Sequence, residues 1–227
     1  MRFRLPAPIH GWRQFAGEVG IIVIGVLLAL AAQQMVDSMR WQSEVSGLRE
    51  AVDRELSLNL DVLNLVMVNR PCVGQRLDEL EGWIAASANG EASPLTGAVG
   101  EPTYRSRYTS VWDNKDNEVT AHLPMAVRLR YAEIYDEFQN TNSVMTRERE
   151  VWRDLGAAAL GEPLDHQDRV RFYGLIVRAR ALNDAMIVNY PYELELGRKL
   201  GVKPSGAPQF KPSAAEAQLC QRVVKIQ

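Results

Sequence analysis

The residues of this chain that could perform catalysis or hold a metal are few, and their positions do not converge on one site. The three histidines, His10, His122 and His166, are widely separated, and no spacing of cysteine, histidine and carboxylate residues matches a metal site. The sequence also lacks a serine-hydrolase elbow, a zinc-protease helix, a phosphate loop and a dinucleotide-binding fingerprint. It therefore predicts a protein that is not an enzyme and has no catalytic residues, bound metal or cofactor.

Aromatic and guanidinium side chains are concentrated in one stretch of the chain. They lie in and just after a segment rich in Gly, Ser, Pro and Thr, residues 89–107, which predicts a long loop. Side chains of these types can form a ligand pocket or a partner surface, and they can equally pack a loop onto the core. Both interpretations stay open for this candidate surface, which consists of Tyr104, Arg105, Arg107, Tyr108 and Trp112.

Cys72 and Cys220 are the only cysteines of the chain. An even number of cysteines in an oxidising compartment favours a disulfide, and two buried free thiols are the alternative. A bond between them would close a loop of about 150 residues and stabilise the fold by about 4–5 kcal/mol on the chain-entropy account. It would also fasten the C-terminal tail to the start of the second predicted helix.

The apolar segment near the N-terminus predicts a helix that anchors the chain in a membrane. The uncharged run Val19–Ala32 extends through its flanks to a predicted transmembrane helix from Phe15 to Val36. A helix of about 22 residues is roughly 33 Å long, enough to cross a hydrocarbon core of about 30 Å. The Ala29-Leu30-Ala31 motif also fits a cleaved signal peptide, which stays the alternative. Helical periodicity that continues through this motif favours a retained anchor.

The charges around the span predict its orientation. Arg2, Arg4 and Arg13 precede it, whereas the following flank carries mixed charges, so residues 1–14 are expected in the cytoplasm. The remainder would then lie across the membrane, in the oxidising compartment that the predicted disulfide requires.

Three residues of the span are candidates for contact with a partner membrane helix. Gly25 and Ala29 form a small-xxx-small stripe, and Glu18 is an acidic residue at the cytoplasmic edge. Simple lipid exposure of the stripe and snorkelling of Glu18 are the alternatives. The stripe favours a membrane protein or a second copy as partner, besides the lipid itself.

The remaining sequence predicts an all-α fold. Apolar residues recur every three or four positions, and no run alternates as a half-buried strand does. We expect one long helix that ends before Pro71, a second helix closed by Asn89-Gly90, and a short helix over residues 106–119. Short connections then suggest an antiparallel bundle over residues 37–200.

The second half of this bundle should contain two further long helices. The first begins at Pro124 and ends at Gly161-Glu162-Pro163, and the second is capped by Asp165. Pro191 should kink or end the second helix, with Leu194–Leu200 resuming it. Residues 201–227 are expected to form an extended linker and a tail.

The first part of the chain resembles a known group of proteins. The pattern Trp12-x-x-Phe15-x-x-Glu18, followed by Gly25-Val26-Leu27-Leu28-Ala29-Leu30 and by Trp41, resembles uncharacterised bacterial single-pass inner-membrane proteins with a helical periplasmic domain. This resemblance covers mainly residues 12–60. It implies an uncut anchor, a cytoplasmic N-terminus and a periplasmic C-terminal domain, and it brings no activity or site residue.

These observations lead to two functional hypotheses. The first is a non-enzymatic, membrane-anchored accessory or structural subunit that binds a larger membrane or envelope complex. The alternative is a periplasmic ligand-binding or sensory helical bundle that acts through a partner. A net charge of −2, with basic and acidic residues interleaved, gives no clustered basic face and so argues against a nucleic-acid partner.

Overall fold

The computed structural model describes residues 11–90, 94–159, 164–206 and 213–224. Within these residues the fold is all-α, as the periodicity predicted, and contains no strand. The helices are α1 (Trp12–Val68), α2 (Arg70–Ala88), α3 (Ser110–Asp113), α4 (Asn117–Ala121), α5 (Met125–Ala158), α6 (His166–Leu200) and α7 (Ala214–Leu219).

Helix α1 is continuous over 57 residues, which makes it about 86 Å long at about 1.5 Å per residue. Its N-terminal part is apolar and exposed, and it is long and apolar enough to cross a membrane. From Val52 onward its apolar stripe is buried, because residues at this spacing share one helix face. A signal sequence has the same composition, so retention and orientation of this helix stay predictions.

The junction between α1 and α2 differs from the expected hairpin. A single residue, Asn69, separates the two helices, and its φ of −92° and ψ of 0° are nearly helical, so the chain cannot reverse there. Both helices therefore run along α6 in the same direction. Gly197 of α6 lies against Leu60 of α1, whereas Asp78 of α2 pairs with Arg180, much nearer the start of α6.

Helices α5 and α6 form the antiparallel pair at the centre of the bundle. The predicted cap of α6 is present, because Asp165 Oδ1 accepts a hydrogen bond of 2.7 Å from the Asp168 backbone N–H. Pro191, predicted to kink or end this helix, lies inside α6 and does not end it. Its ring faces solvent, and the buried neighbours Glu193 and Leu196 hold the following turns against the bundle.

The loop helices and the termini complete the comparison with the predicted elements. The short helix predicted over residues 106–119 is two helices, α3 and α4, because Asp116 caps the second with its carboxylate. Residues 201–206 of the predicted linker are non-helical, and α7 begins the tail. Residues 1–10, the whole Gly161-Glu162-Pro163 end signal with residue 160, the linker residues 207–212 and the tail residues 225–227 lie outside the described residues.

Three apolar clusters pack along α5 and α6, and the smallest consists of Val62, Val66, Tyr104, Val144, Met145 and Met186. The proximal cluster, nearer the N-terminal part of α1, has α1 as its third helix and consists of Val52, Leu56, Leu60, Leu63, Trp112, Leu123, Tyr131, Ile134, Tyr135, Phe138, Leu196 and Val202. The distal cluster has α2 as its third helix and consists of Val73, Leu77, Leu80, Trp83, Ile84, Val99, Val151, Trp152, Leu155, Phe172, Leu175, Ile176, Ala179 and Leu219.

Candidate functional site

Two buried ion pairs lie between the proximal and distal clusters. Arg70 Nη1 is 2.6 Å from Glu148 Oε1, and Arg107 Nη2 is 3.5 Å from Glu193 Oε2. All four side chains are almost completely buried. Removing charges from water is costly even when they are paired, so this buried charge layer (Arg70, Arg107, Glu148 and Glu193) is an unusual feature of a helical core.

Different elements supply the members of the buried charge layer. Arg70 is the first residue of α2, so the one-residue break at Asn69 places its side chain where α1 ends. Glu148 comes from α5 and Glu193 from α6, whereas Arg107 comes from the loop before α3. The layer therefore joins the α1–α2 junction and the loop to both central helices.

Burial shifts the pKa values in the layer so that the neutral form of each group is favoured. Desolvation raises the pKa of Glu148 and that of Glu193, although the paired guanidinium groups act against it. Desolvation likewise lowers the pKa of Arg107. Two neutral groups support the pairs: Thr141 donates a hydrogen bond to Glu193 Oε1, and Asn183 Oδ1 accepts one of 3.4 Å from Arg70.

Several polar atoms in and beside the layer are buried without a hydrogen-bond partner among the described residues. Such atoms are rare in folded proteins, since nearly all buried donors and acceptors are paired. They are Arg70 Nε and Nη2, Arg107 Nε, Glu148 Oε2, Tyr104 Oη and Trp152 Nε1. Four of these six atoms are nitrogen donors, three of them in the layer itself and the fourth on Trp152.

The structure brings only part of the predicted aromatic–arginine surface together, because the Arg105 guanidinium donates to the Tyr104 carbonyl and the Arg107 guanidinium to the Arg105 carbonyl. Tyr104 and Arg107 are buried beside the charge layer, whereas Trp112 is buried in the proximal cluster, where it stacks on Tyr135 with 5.2 Å between ring centroids. Each of these side chains therefore packs the loop onto the core from a different position.

The other two residues of that surface contact residues that are distant in the sequence. Arg105 Nη1 is 3.4 Å from Glu216 Oε1 in α7. Tyr108 is half-exposed, and its backbone N–H and C=O each make a 2.7 Å hydrogen bond with the side-chain amide of Asn59. Any ligand or partner role of the predicted set stays a prediction.

A third arrangement, the tail clamp, fastens the C-terminal segment to α2. Cys72 and Cys220 lie at disulfide distance, with Cα atoms 4.9 Å apart, as the even cysteine count predicted. Arg76, only 1% exposed, donates hydrogen bonds to five backbone carbonyls. These carbonyls belong to Ala98, Val99, Gln218, Leu219 and Gln221.

Glu79 completes the tail clamp from the next turn of α2. Its Oε2 is 3.1 Å from Arg76 Nε, and its Oε1 accepts 2.9 Å hydrogen bonds from the backbone N–H groups of Val223 and Val224. Cys72, Arg76 and Glu79 are spaced four and three residues apart, which places them on one helix face. This spacing beside a cysteine is the signal from which the clamp could have been found in the sequence.

A groove of about 690 Å³ opens beside the distal cluster. Loop residues 95–101 form one wall, and Trp152 and Gly156 of α5 form the opposite wall, with Ala215 of α7 at the edge. Trp152 therefore lines this groove and also lies one helical turn from Glu148 of the charge layer.

The three candidate membrane contacts lie on the exposed part of α1. Glu18, Gly25 and Ala29 are all exposed, and a Cβ added to Gly25 would meet no atom within 4 Å. Their spacing of seven and four residues places them on one helix face. Contact with another membrane helix stays a prediction. In the described part of the chain, no group of three or more His, Cys, Asp or Glu residues could hold a metal ion.

Comparisons of the chain with protein families, curated proteins and solved structures find no match.

Proposed function

We propose that this protein is a non-enzymatic accessory or structural subunit, anchored in the bacterial inner membrane by α1, that binds a larger membrane or envelope complex. In this proposal the N-terminus is cytoplasmic and the bundle is periplasmic. The single observation that carries it is the continuity of α1 from Trp12 to Val68. One helix provides both the exposed apolar segment and the core of the bundle, so the anchor and the domain are one rigid element.

The contacts just beyond the predicted span support this proposal. Trp41 stacks on His122 with 4.2 Å between ring centroids, so the segment that connects α4 and α5 braces α1 five residues after Val36. At about 1.5 Å per residue this brace lies roughly 7–8 Å beyond the span. A helix held there transmits the position of its membrane segment to the bundle, as a subunit of a membrane complex requires.

The exposed stripe of α1 offers a surface for the partner. Gly25 and Ala29 have no side-chain bulk that would keep a second helix away, and close backbone approach is what stabilises helix pairs in a lipid environment. Glu18 on the same face could pair with a polar group of that partner near the membrane edge.

Co-purification from gently solubilised membranes tests this proposal, with two double variants of equal composition. Gly25→Leu/Ala29→Leu fills the proposed contact face, whereas Gly20→Leu/Ala31→Leu makes the same two changes on the opposite face of α1. We expect wild type and the Gly20/Ala31 variant to purify in a stoichiometric complex, and the Gly25/Ala29 variant to lose it.

Two results would contradict the proposal. One is a wild-type protein that purifies alone at its chain mass of 25.5 kDa. The other is a mature N-terminus at Ala32, which would show that the anchor is removed. The ligand-binding or sensory module remains the alternative hypothesis.

A further inference from the structure

The two central helices of the bundle differ in what they expose to solvent. Beyond Leu129, the part of α5 that the structure describes exposes no large apolar side chain. The solvent face of α6 carries such side chains along most of its length, each 43–68% exposed. They are Val170, Tyr173, Val177, Ile187, Val188 and Tyr192. A long apolar face of this kind is typical of an interaction surface.

The spacing on this face matches that of a contact between two helices. Exposed positions of α6 alternate four and three residues apart, which is the repeat of about 3.5 residues that keeps two supercoiled helices in contact. We call these positions the α6 seam, and they are Val170, Gly174, Val177, Ala181, Asp184 and Val188. Gly174 and Ala181 permit close approach, and a Cβ added to Gly174 would meet no atom within 4 Å. The seam is about 27 Å long at about 1.5 Å per residue.

The register of α5 against α6 places two arginines beside the middle of the seam. Tyr192 of α6 donates a 2.7 Å hydrogen bond to Glu133 of α5. Because the two helices are antiparallel, the residues fourteen positions before Tyr192 and fourteen positions after Glu133 are neighbours. These residues are Arg178 and Arg147, and both are exposed.

The surroundings of the two arginines leave them available to a carboxylate. Neither forms an ion pair within the described structure, and Arg147 donates only to the Ser143 carbonyl, at 3.4 Å. Seven positions further along the same register, Arg171 and Asp154 line one cleft, which agrees with the pairing of the helices. The seam is therefore flanked at its middle by positive charge, and guanidinium groups bind carboxylates with good geometry.

We propose that the α6 seam binds an amphipathic helix of another protein in the membrane or envelope complex, one with an apolar face and an acidic residue opposite Arg147 and Arg178. The inference names the chemistry of the partner and so rests on the proposed function. It adds a contact site in the bundle, separate from the Gly25 and Ala29 stripe of the membrane segment.

The charges disfavour a second copy of this chain as the occupant. Two anchors in one membrane require the two α6 helices to lie parallel, which places Asp184 against its own copy. An antiparallel pair centred on Ala181 would match Arg178 with Asp184, since each lies three residues from Ala181. That pair would send the two α1 helices in opposite directions. A separate acidic helix avoids both conflicts.

Zero-length cross-linking of the gently solubilised complex tests the inference. Arg178→Lys provides an amine beside the seam. A carbodiimide converts a carboxylate into an O-acylisourea, and the amine displaces the urea to form an amide bond. We expect mass spectrometry to identify an amide between the introduced lysine and an Asp or Glu of a different polypeptide, with apolar residues three and four positions away. Arg153→Lys, on the side of α5 that faces the loop at residues 95–101, is the matched control and should give no intermolecular cross-link.

Two valine variants measure the apolar contact. Val177→Glu places a charge in the middle of the seam, whereas Val68→Glu makes the same change at the end of α1, where the valine is 71% exposed. Both side chains face solvent in the chain alone, so we expect both variants to keep the wild-type melting temperature. Val177→Glu should recover at least tenfold less partner than wild type, and Val68→Glu should recover the same amount.

Three outcomes would overturn the inference. They are cross-links of the introduced lysine that lead only to a second copy of the chain, an intact complex without the cross-link, and unchanged recovery of the partner by Val177→Glu. The last two leave the accessory-subunit proposal standing. A wild-type protein that purifies alone would overturn both proposals, so the two failures are distinguishable.

Discussion

Replacing Arg76 by methionine tests whether the tail clamp holds the C-terminal segment to α2. Methionine keeps an unbranched side chain in the same buried position but removes the guanidinium. The five carbonyls that Arg76 serves come from the loop at residues 98–99 and from residues 218–221, and Glu79 would lose its charged partner. The variant therefore removes a group that contacts the loop, the tail and α2 at once.

The expected magnitude follows from the burial of this group. Removing one member of a buried charged network costs about 3–5 kcal/mol, because its partners are left desolvated and unpaired. The Cys72–Cys220 bond still tethers the tail, so the loss should appear first as local opening of residues 213–224. Since about 1.4 kcal/mol corresponds to a factor of ten, local opening should increase by roughly two to three and a half orders of magnitude.

Hydrogen–deuterium exchange under native, non-reducing conditions measures this opening directly. The amides of Val223 and Val224 donate to Glu79, so their protection reports on the clamp. Arg180→Met is the matched control, because Arg180 makes two ion pairs at the surface and its loss should cost only about 0–1 kcal/mol.

A specific result would refute this reasoning about the clamp. If the amides of residues 213–224 exchange in Arg76→Met within threefold of their wild-type rates, the hydrogen bonds of Arg76 do not hold the tail. Equal exchange in Arg76→Met and Arg180→Met would lead to the same conclusion.

Two further predictions concern alkaline pH and backbone conformation. Burial, with a hydrogen bond to Asp53, raises the pKa of Tyr131 from 10.0 to about 12. The folded protein therefore keeps this proton at pH values where the unfolded chain loses it, and the free energy of unfolding falls by about 2 kcal/mol between pH 10 and pH 12. In urea titrations between pH 10 and pH 12, Tyr131→Phe should make the fall of the unfolding free energy with pH less steep, by the equivalent of about one bound proton. An unchanged slope would contradict the assignment. Gly100→Ala should destabilise the fold by several kcal/mol, because φ is +78° and the added Cβ would lie 2.8 Å from the Leu219 backbone nitrogen. Gly206→Ala, with φ of +70° and open space around it, should cost only about 1–2 kcal/mol, and equal effects would count against the close approach.

Elements with local signals could be predicted from the sequence. The apolar stripe of α1 and the Asp165 cap each depend on residues within one or two turns, so the printed sequence contains the whole signal. Asn69 and Pro191 show the limit of such signals. The first predicts a helix end and the second a kink or an end, but whether the chain reverses or continues depends on which distant side chains the next turn can bury.

The candidate sites depend on contacts that the sequence does not display. The carbonyl partners of Arg76 in the tail lie 142 to 145 residues away, and Glu148 lies 78 residues from Arg70. An arginine directly before a proline resembles an ordinary exposed residue at a helix start. Only the one-residue break at Asn69, which keeps α2 in the direction of α1, turns that arginine into the core.

The buried charge layer also explains how α5 finds its register against the other helices. One turn before Glu148 lies Met145 and one turn after it lies Trp152, and both are buried. A shift of α5 by one turn would bring one of these apolar side chains to the place of Glu148. The shift would leave Arg70 without its carboxylate partner, at a cost of about 3–5 kcal/mol, so the ion pair selects one register. This role uses only the Nη1 edge of Arg70, whereas the opposite edge, Nε and Nη2, contributes nothing to register.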